Sequence, residues 1–482
     1  MQIITADARR SVLDRAERLR RLTDTDQDLI RLASEPGFPR WLEQIKATGG
    51  CAHPIYLAGH TTMSDPATGQ VLRHYDTINE PGERLPVRCR NRRESRCLPC
   101  SRLHSGDTFH LVRSGLLGGK GIPATVTDHP RLFVTLTAPS FGAVHRATTD
   151  GEPCRRHSAG TSCEHGHRLT CGLVHASDDS AVGQPLCPAC YDYAGHVLWH
   201  AHAGELWNRT SRAIRRHLAT AAGITQSRIG EHLRLSFAKV TEYQRRGAVH
   251  FHAVIRLDGP DGPTTAPPDW ASAELLGAAV RSAAASVEVS MPYVPGLGEL
   301  VFRWGGQLDV HSIRRAFADD GAVTDQAVAA YVAKYVSKGV GDAGGTDYPI
   351  RSLDDIALLP VSAHVRVLMG TCWRLGRLPE LAPLRLRAWA HTLGYRGHVL
   401  TKSRRYSTTY GELRTTRAAR HGVLPSGPDT GPLAVVESAW RYVGSGHTPG
   451  AELIAAGVAE DLVLLREVRQ ELAAGHRWPD AA

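Results

Sequence analysis

Two histidines, a glutamate and two tyrosines have the types and spacing to do chemistry together. His250 and His252 stand one residue apart in Val249-His250-Phe251-His252-Ala253-Val254-Ile255, an apolar, β-branched run that suits a strand. Side chains alternate faces along a strand, so both imidazoles point the same way. In neutral form the pair can hold one metal ion. A preceding strand ends at Gln244. Arg245-Arg246-Gly247 then gives a three-residue hairpin loop with glycine last, which suits a type I turn and a G1 bulge. That register sets Glu242 opposite His250 and Val240 opposite His252, and turns Lys239 to the other face. A slip of one residue would remove Glu242 from the pair. One glutamate and two histidines with open positions favour Mg2+ or Mn2+ acting on a phosphate, or a catalytic Zn2+. The plainer reading is two part-buried histidines on a strand.

The tyrosines lie on a helix. Asp325 can cap a helix running to Lys338, with Gly339 to end it. Ala329, Val332, Ala333 and Val336 follow helical spacing and form the stripe to be buried. Tyr331, Lys334, Tyr335 and Lys338 repeat that spacing about 200° around the helix. A phenol is a poor nucleophile at neutral pH. A neighbouring cation favours the phenolate and draws an anionic substrate to the same face. The lysines are informative because the chain has only six among 57 basic residues. The alternative is an amphipathic surface helix with snorkelling lysines.

The elements that must hold these groups come from a chain of 482 residues, with 57 Lys+Arg against 48 Asp+Glu. That length predicts two or three packed units. The net charge of +9 suits an anionic partner such as nucleic acid. No run of 18 apolar residues offers a membrane span, and the charged N-terminus lacks an apolar signal core, so a cytoplasmic protein is expected. Ten cysteines then point to metal thiolates and away from disulfides. Cys97-x-x-Cys100 and Cys187-x-x-Cys190 are knuckles suited to tetrahedral zinc. Cys51 and Cys89 complete one set. Cys163 and Cys171 complete the other, with Cys154, His165, His167 and His175 as competitors. A single site using both knuckles is a further arrangement. Cys372 stands alone and reads as a buried thiol.

Residues 5–46 read as helical and 51–122 as loop-rich. RLFVTLTA at 131–138 reads as a strand, 194–222 as a long helix, and 233–243 with 248–257 as the hairpin. Helices are predicted at 271–285 and 325–338, and a mostly helical region from about 350. The histidines of HVLWHAH at 196–202 fit the long helix and read as structural. Lys402 to His421 interleaves basic and aromatic residues. Lys402, Arg404, Arg405 and Tyr406 could grip a phosphate backbone and stack bases.

In chain order, FVTLTAP (133–139), Glu242 with HFHAV (250–254) and AYVAKYVSK (330–338) resemble the three-motif set of rolling-circle replication initiators in the HUH endonuclease superfamily. HPRLFVTLTAPSFGAVH, EYQRRGAVHFHAVIRLDG and GHVLTKSRRYS resemble the initiators of actinobacterial plasmids and integrative conjugative elements. The resemblance covers roughly residues 85–410. It implies an α+β fold, a central antiparallel sheet with flanking helices, carrying zinc-binding insertions and a mostly helical C-terminal region. The regions expected are a helical 1–84, a zinc-knuckle 85–124, a nuclease domain 125–345 interrupted at about 140–192, and a basic 346–482. The resemblance further implies that His250, His252 and Glu242 hold Mg2+ or Mn2+. Tyr331 or Tyr335 would attack a phosphodiester and form a 5′-phosphotyrosine bond, with Lys334 and Lys338 orienting the phosphate. Some relatives keep only the second tyrosine, which favours Tyr335. The implied partners are single-stranded or cruciform origin DNA and host machinery such as a helicase. Two other classes compete. A zinc-containing DNA-binding regulator without catalysis leaves the tyrosine face unexplained. A zinc hydrolase of small substrates leaves the basic surface idle.

Overall fold

Strand-forming runs that lie far apart in the chain meet in two separate sheets. The computed structural model describes residues 22–148, 151–155, 162–313, 324–337, 345–346, 348–420 and 434–475; the side chains at 335, 337, 419–420 and 470–475 lie outside the description. Contacts divide the chain into residues 105–414 and a second unit made of 1–104 with 415–482. The described elements begin with α1 (Asp24–Ser34), α2 (Phe38–Ala47), β1 (Ile55–Ser64), β2 (Val71–Asp76), β3 (Leu85–Val87) and α3 (Leu98–Leu117). Next come β4 (Arg131–Thr137), α4 (Tyr193–Ala221), β5 (Arg234–Tyr243), β6 (Val249–Asp258) and α5 (Ala273–Ser286). They continue with β7 (Glu288–Val294), β8 (Gly298–Arg303), β9 (Leu308–Ser312), α6 (Asp325–Ser337), α7 (Leu353–Leu358) and α8 (Ala363–Leu375). The last are β10 (Leu400–Lys402), α9 (Tyr410–Arg420), β11 (Val435–Ser445) and α10 (Pro449–Gly475). Among the described residues no helix is long and apolar enough to cross a membrane.

In the unit of 1–104 and 415–482, β1 pairs antiparallel with β11, β2 and β3. Leu32, Trp41 and Ile45 of α1 and α2 pack with Ala451, Ala455 and Val458 of α10. Of the helical stretch expected over 5–46, residues 5–21 lie outside the described residues, and the rest is broken into two helices. α1 starts at a Thr23–Asp26 capping box and stops at Glu35, whose extended backbone suits the residue before Pro36. The stretch expected to be loop-rich holds β1, β2, β3 and all of α3. β2 is exposed over most of its length, so no apolar alternation marks it. β1 finds its partner β11 some 380 residues away, beyond the reach of local pattern. The described C-terminal region is mostly helical, with β10 and β11 as the strands that the helical reading omitted.

Residues 105–414 hold a five-stranded sheet in the order β10-β5-β6-β4-β9, antiparallel at every pairing. The mixed α/β architecture with antiparallel sheets is therefore as expected, and β10 completes this sheet from the far side of the chain. On one face Leu132, Val134, Leu136, Phe251, Ala253 and Ile255 pack beneath α4 and α5. On the other Ala238, Val240 and Val254 meet α3, α6 and Tyr406. The stripe Ala329, Val332, Ala333 and Val336 of α6 is buried as its spacing predicts. Thr324, not Asp325, supplies the capping oxygen, accepting the Ala327 N–H at 3.2 Å. Asp325 instead forms a buried ion pair with Arg131, which also donates to Leu116 O at 2.8 Å and Thr127 O at 2.9 Å. One guanidinium thus fixes the end of α3 and the start of α6 to β4. Breaking such a pair costs about 3–5 kcal/mol, because a lone charge stays buried.

Candidate active site

The β5–β6 hairpin has the register its alternation predicts. Glu242 pairs with His250 and Val240 with His252. Gly247 takes φ +80° in the loop, a conformation that any side chain would strain. His200 on α4 braces the strand. Its Nε2 accepts the Val249 N–H at 3.0 Å, and its Nδ1 donates to Leu393 O at 2.8 Å. Burial pushes the His200 imidazole down to about 3, so it stays neutral. The histidines of 196–202 are thus structural, as the helix reading expects.

On the opposite face of the sheet three ligand atoms converge. Glu242 Oε2 lies 2.9 Å from His250 Nε2 and 3.0 Å from His252 Nε2, and the two nitrogens lie 2.9 Å apart. Burial opposes ionisation of Glu242, but the hydrogen bonds from His250 and His252 outweigh it and hold the carboxyl at about 2. Burial lowers the His252 pKa against the raising effect of Glu242. The hydroxyl of Thr135, paired across from His252 on β4, lies 3.0 Å from His252 Nδ1. It can accept the Nδ1 proton, so that a cation replacing the Nε2 proton between His252 and Glu242 would meet the Nε2 lone pair. Phe133 stacks on the His252 ring at 5.7 Å and 4°. Gln244 Nε2 lies 3.4 Å from His250 Nδ1. Two imidazole nitrogens and a carboxylate oxygen, each already turned to one point, fit a divalent cation.

α6 brings a phenol to that point. The Tyr331 hydroxyl lies 3.0 Å from His252 Nε2 and 3.5 Å from Glu242 Oε2. Lys334 is exposed on the same helix. Tyr335 belongs to α6, but its side chain is outside the description, and Lys338 lies outside the described residues. Beside the hairpin loop opens a cleft of about 490 Å³, lined by Gln244, Arg245, Arg246, Arg146 and Arg155 among others. Thr135, Phe133 and Gln244 escape a reading of single motifs. The signal for Thr135 is the β4–β6 register, which FVTLTAP alone does not reveal.

The cysteines form three groups. Cys51, Cys89, Cys97 and Cys100 converge, as the first knuckle predicts. Cys100 and Cys97 sulfurs lie 3.5 and 3.8 Å from Cys51 Sγ. A tetrahedral zinc with bonds of about 2.3 Å sets sulfurs about 3.8 Å apart. The backbone N–H groups of Ala52, Cys89 and Asn91 donate to sulfurs of the cluster at 3.3–3.4 Å, which favours thiolate. Cys187 and Cys190 join Cys163 and His165. Cys171, expected there, lies elsewhere, with His145, Cys154 and His175. The two knuckles do not share one site. Cys372 is wholly buried.

Tyr406 corrects the basic-stretch reading. It is fully buried, its hydroxyl donates to Val112 O at 3.2 Å, and its ring lies where a Cβ on Gly115 would fall 2.3 Å away. It cannot stack a base. Lys402 donates to Ser407 O at 2.9 Å. Arg404 and Arg405 are exposed, with Arg405 also bonded to Asp261 O at 2.8 Å.

The family model described as "Replication initiator protein, pSAM2" matches residues 37–460. The chain is also 47% identical over 454 residues to a "Replication initiator protein" of Streptomyces ambofaciens, covering 92% of this chain and 95% of that one. No solved structure matches.

Proposed function

The chain belongs to the replication initiator protein family described for pSAM2, and on that premise we propose that it starts rolling-circle replication by nicking and rejoining origin DNA. The observation that carries this reading is the approach of the Tyr331 hydroxyl to His252 Nε2, 3.0 Å, beside Glu242 and His250. A divalent ion, Mg2+ or Mn2+, held by Glu242, His250 and His252 would polarise the scissile phosphate and stabilise the leaving oxygen.

The chain's own residues do the rest. Thr135 and Phe133 hold His252 in orientation. The Tyr331 oxygen attacks phosphorus, forming the Oη–P bond as the P–O3′ bond breaks. The phenol proton is lost to solvent, and the leaving 3′ oxygen gains one. The 5′ end stays on the protein as a phosphotyrosine, and the freed 3′-hydroxyl primes synthesis. The resemblance favours Tyr335 as nucleophile; the approach of Tyr331 to His252 supports assigning the first cut to Tyr331 and the closing cut to Tyr335, one helical turn on. Lys334 and Lys338 on that face would draw in the phosphate. The arginine-lined cleft beside the hairpin loop would carry the strand as it leaves the centre, with Arg404 and Arg405 as outlying phosphate contacts. The partners are single-stranded or cruciform origin DNA and host machinery such as a helicase, in the cytoplasm. Zn2+ at Cys51, Cys89, Cys97 and Cys100, and at Cys163, His165, Cys187 and Cys190, would be structural.

The test is a covalent adduct. The full chain is incubated with origin-derived single strands and Mn2+, then run on a denaturing gel. A metal-dependent protein–DNA adduct is expected. Its absence with every origin strand would sink the reading and leave a non-catalytic DNA-binding regulator.

A further inference from the structure

Residues 138–187 contain no helix or strand among those described, only isolated bridges such as Val144 with Pro185 and Arg155 with Cys171. Their packing is inverted relative to an ordinary core. Among the described residues between 142 and 190 the buried ones are Cys154, Cys171, His175, Gly183 and Cys187, while Leu173 and Val174 are 67% and 54% exposed. Apart from Gly183 the buried groups are thiols and an imidazole, whereas Val144, Val182 and Leu186 are only half-buried. Apolar burial is therefore thin among the described residues of this segment, which favours a further source of stability.

We propose that His145, Cys154, Cys171 and His175 bind a zinc ion of their own, distinct from the two knuckle sites. Their ligand atoms all lie within 4.8 Å of one another. Cys171 Sγ is 3.4 Å from His175 Nε2, and Cys154 Sγ is 3.8 Å from His145 Nδ1. A tetrahedral zinc with bonds of about 2.3 Å to sulfur and 2.0–2.1 Å to nitrogen sets such atoms about 3.5 Å apart. The surroundings suit the bound state. His175 Nδ1 donates to Asp179 Oδ2 at 2.7 Å, which leaves its Nε2 lone pair facing the thiols. The Arg146 N–H donates to Cys154 Sγ at 3.2 Å, as a thiolate requires. His145 is held by two backbone bonds, its N–H to Gln184 O at 2.9 Å and its O from the Gly183 N–H at 2.8 Å.

The site has a place in the molecule. Its ligands His145 and Cys154 are chain neighbours of Arg146 and Arg155, which line the cleft beside the hairpin loop. Arg155 donates to Val144 O at 3.1 Å and Arg146 to Cys154 O at 2.5 Å. The ion would thus fix one wall of that cleft. The inference does not depend on the nicking reading, since zinc is counted without DNA.

The test counts zinc in the purified full chain after dialysis against a mild chelator. Cys154→Ser/Cys171→Ser should retain one zinc fewer than the wild type. Cys187→Ser/Cys190→Ser and Cys97→Ser/Cys100→Ser should each lose a different one, so that combining pairs adds the losses. Asp179→Asn keeps all four ligands and reads the site even where a double variant fails to fold. It should release one equivalent to a competing chelator at about 10–100-fold lower chelator concentration. A Cys154→Ser/Cys171→Ser chain with the wild-type zinc count overturns the proposal, as does an Asp179→Asn chain that releases zinc as the wild type does.

Discussion

The Tyr331 hydroxyl stands 3.0 Å from His252 Nε2, and the two rings meet edge to face with centroids 4.9 Å apart. Phe133 completes the arrangement, flat against His252 and edge-on to Tyr331 at 5.7 Å. The phenol is thereby aimed at the atom that would face a metal ion, on a helix whose other side is buried in the core. A nucleophile held this way needs no large movement to reach a phosphate bound at the same ion.

Removing that hydroxyl should leave the fold intact and abolish the first cut. Tyr331→Phe is expected to lower adduct formation on a single-stranded origin by about 10³-fold or more, the scale of losing a nucleophile. Tyr335→Phe should still form the adduct but fail to rejoin strands in a two-substrate joining assay. Normal adduct from Tyr331→Phe with none from Tyr335→Phe would reverse the assignment.

Thr135→Val removes the partner of His252 Nδ1 while keeping the shape of the side chain. The imidazole then loses the hydrogen bond that fixes its tautomer. The Mn2+ concentration for half-maximal nicking should rise by about 10–100-fold, with activity recovered at saturating metal. An unchanged metal titration would show that Thr135 does not orient the ligand.

The hairpin and the tyrosine helix were legible because their signals are local: a two-residue alternation around His250 and His252, a glycine-ended loop, and helical spacing around Val332. The Cys51 and Cys97 cluster followed from the knuckle spacing. What stayed hidden depends on distant partners. β1 and β11 pair across almost the whole chain, and neither alternates cleanly. Tyr406 reads as an exposed aromatic among bases, yet it fills the space left by the missing side chain of Gly115, a complementarity between residues nearly 300 apart. Cys171 was drawn to the wrong knuckle because spacing cannot choose among several histidines and thiols. Backbone pairing of Arg155 with Cys171 makes that choice.

The arginine-lined cleft predicts a salt effect. Arg146 is exposed and one of its nitrogens is fixed on Cys154 O, so the rest of the guanidinium is free to meet a phosphate. For single strands each phosphate contact contributes about 0.7 to the slope of log affinity against log salt. Arg146→Ala should therefore flatten that slope by about 0.7 and weaken binding similarly for all sequences. A slope equal to that of the wild type would take the strand out of this cleft.

Lys239 gives a test of the sheet's other face. It is 3% exposed, and its ammonium lies 3.8 Å from the centroid of the Phe251 ring and 5.9 Å from that of Trp207. Contact with aromatic faces offsets only part of the loss of water. Burial accordingly pushes its pKa down to about 7. Below that pH the group is charged in both the folded and the unfolded chain, and the folded state carries the full burial penalty. Between about 7 and the ordinary lysine value near 10.4, the folded chain releases the proton while the unfolded chain keeps it. The unfolded state then binds more protons, so stability rises with pH across this window. Lys239→Met removes the charge and keeps the chain length. It should stabilise the protein by roughly 2 kcal/mol or more at pH 6.5, with the gain shrinking to less than half by pH 9.5. Denaturant titrations of variant and wild type at the two pH values measure this difference directly and cancel groups common to both. A gain that is equal at both pH values, or a variant less stable than the wild type at pH 6.5, would mean that Lys239 is charged and satisfied in the folded core.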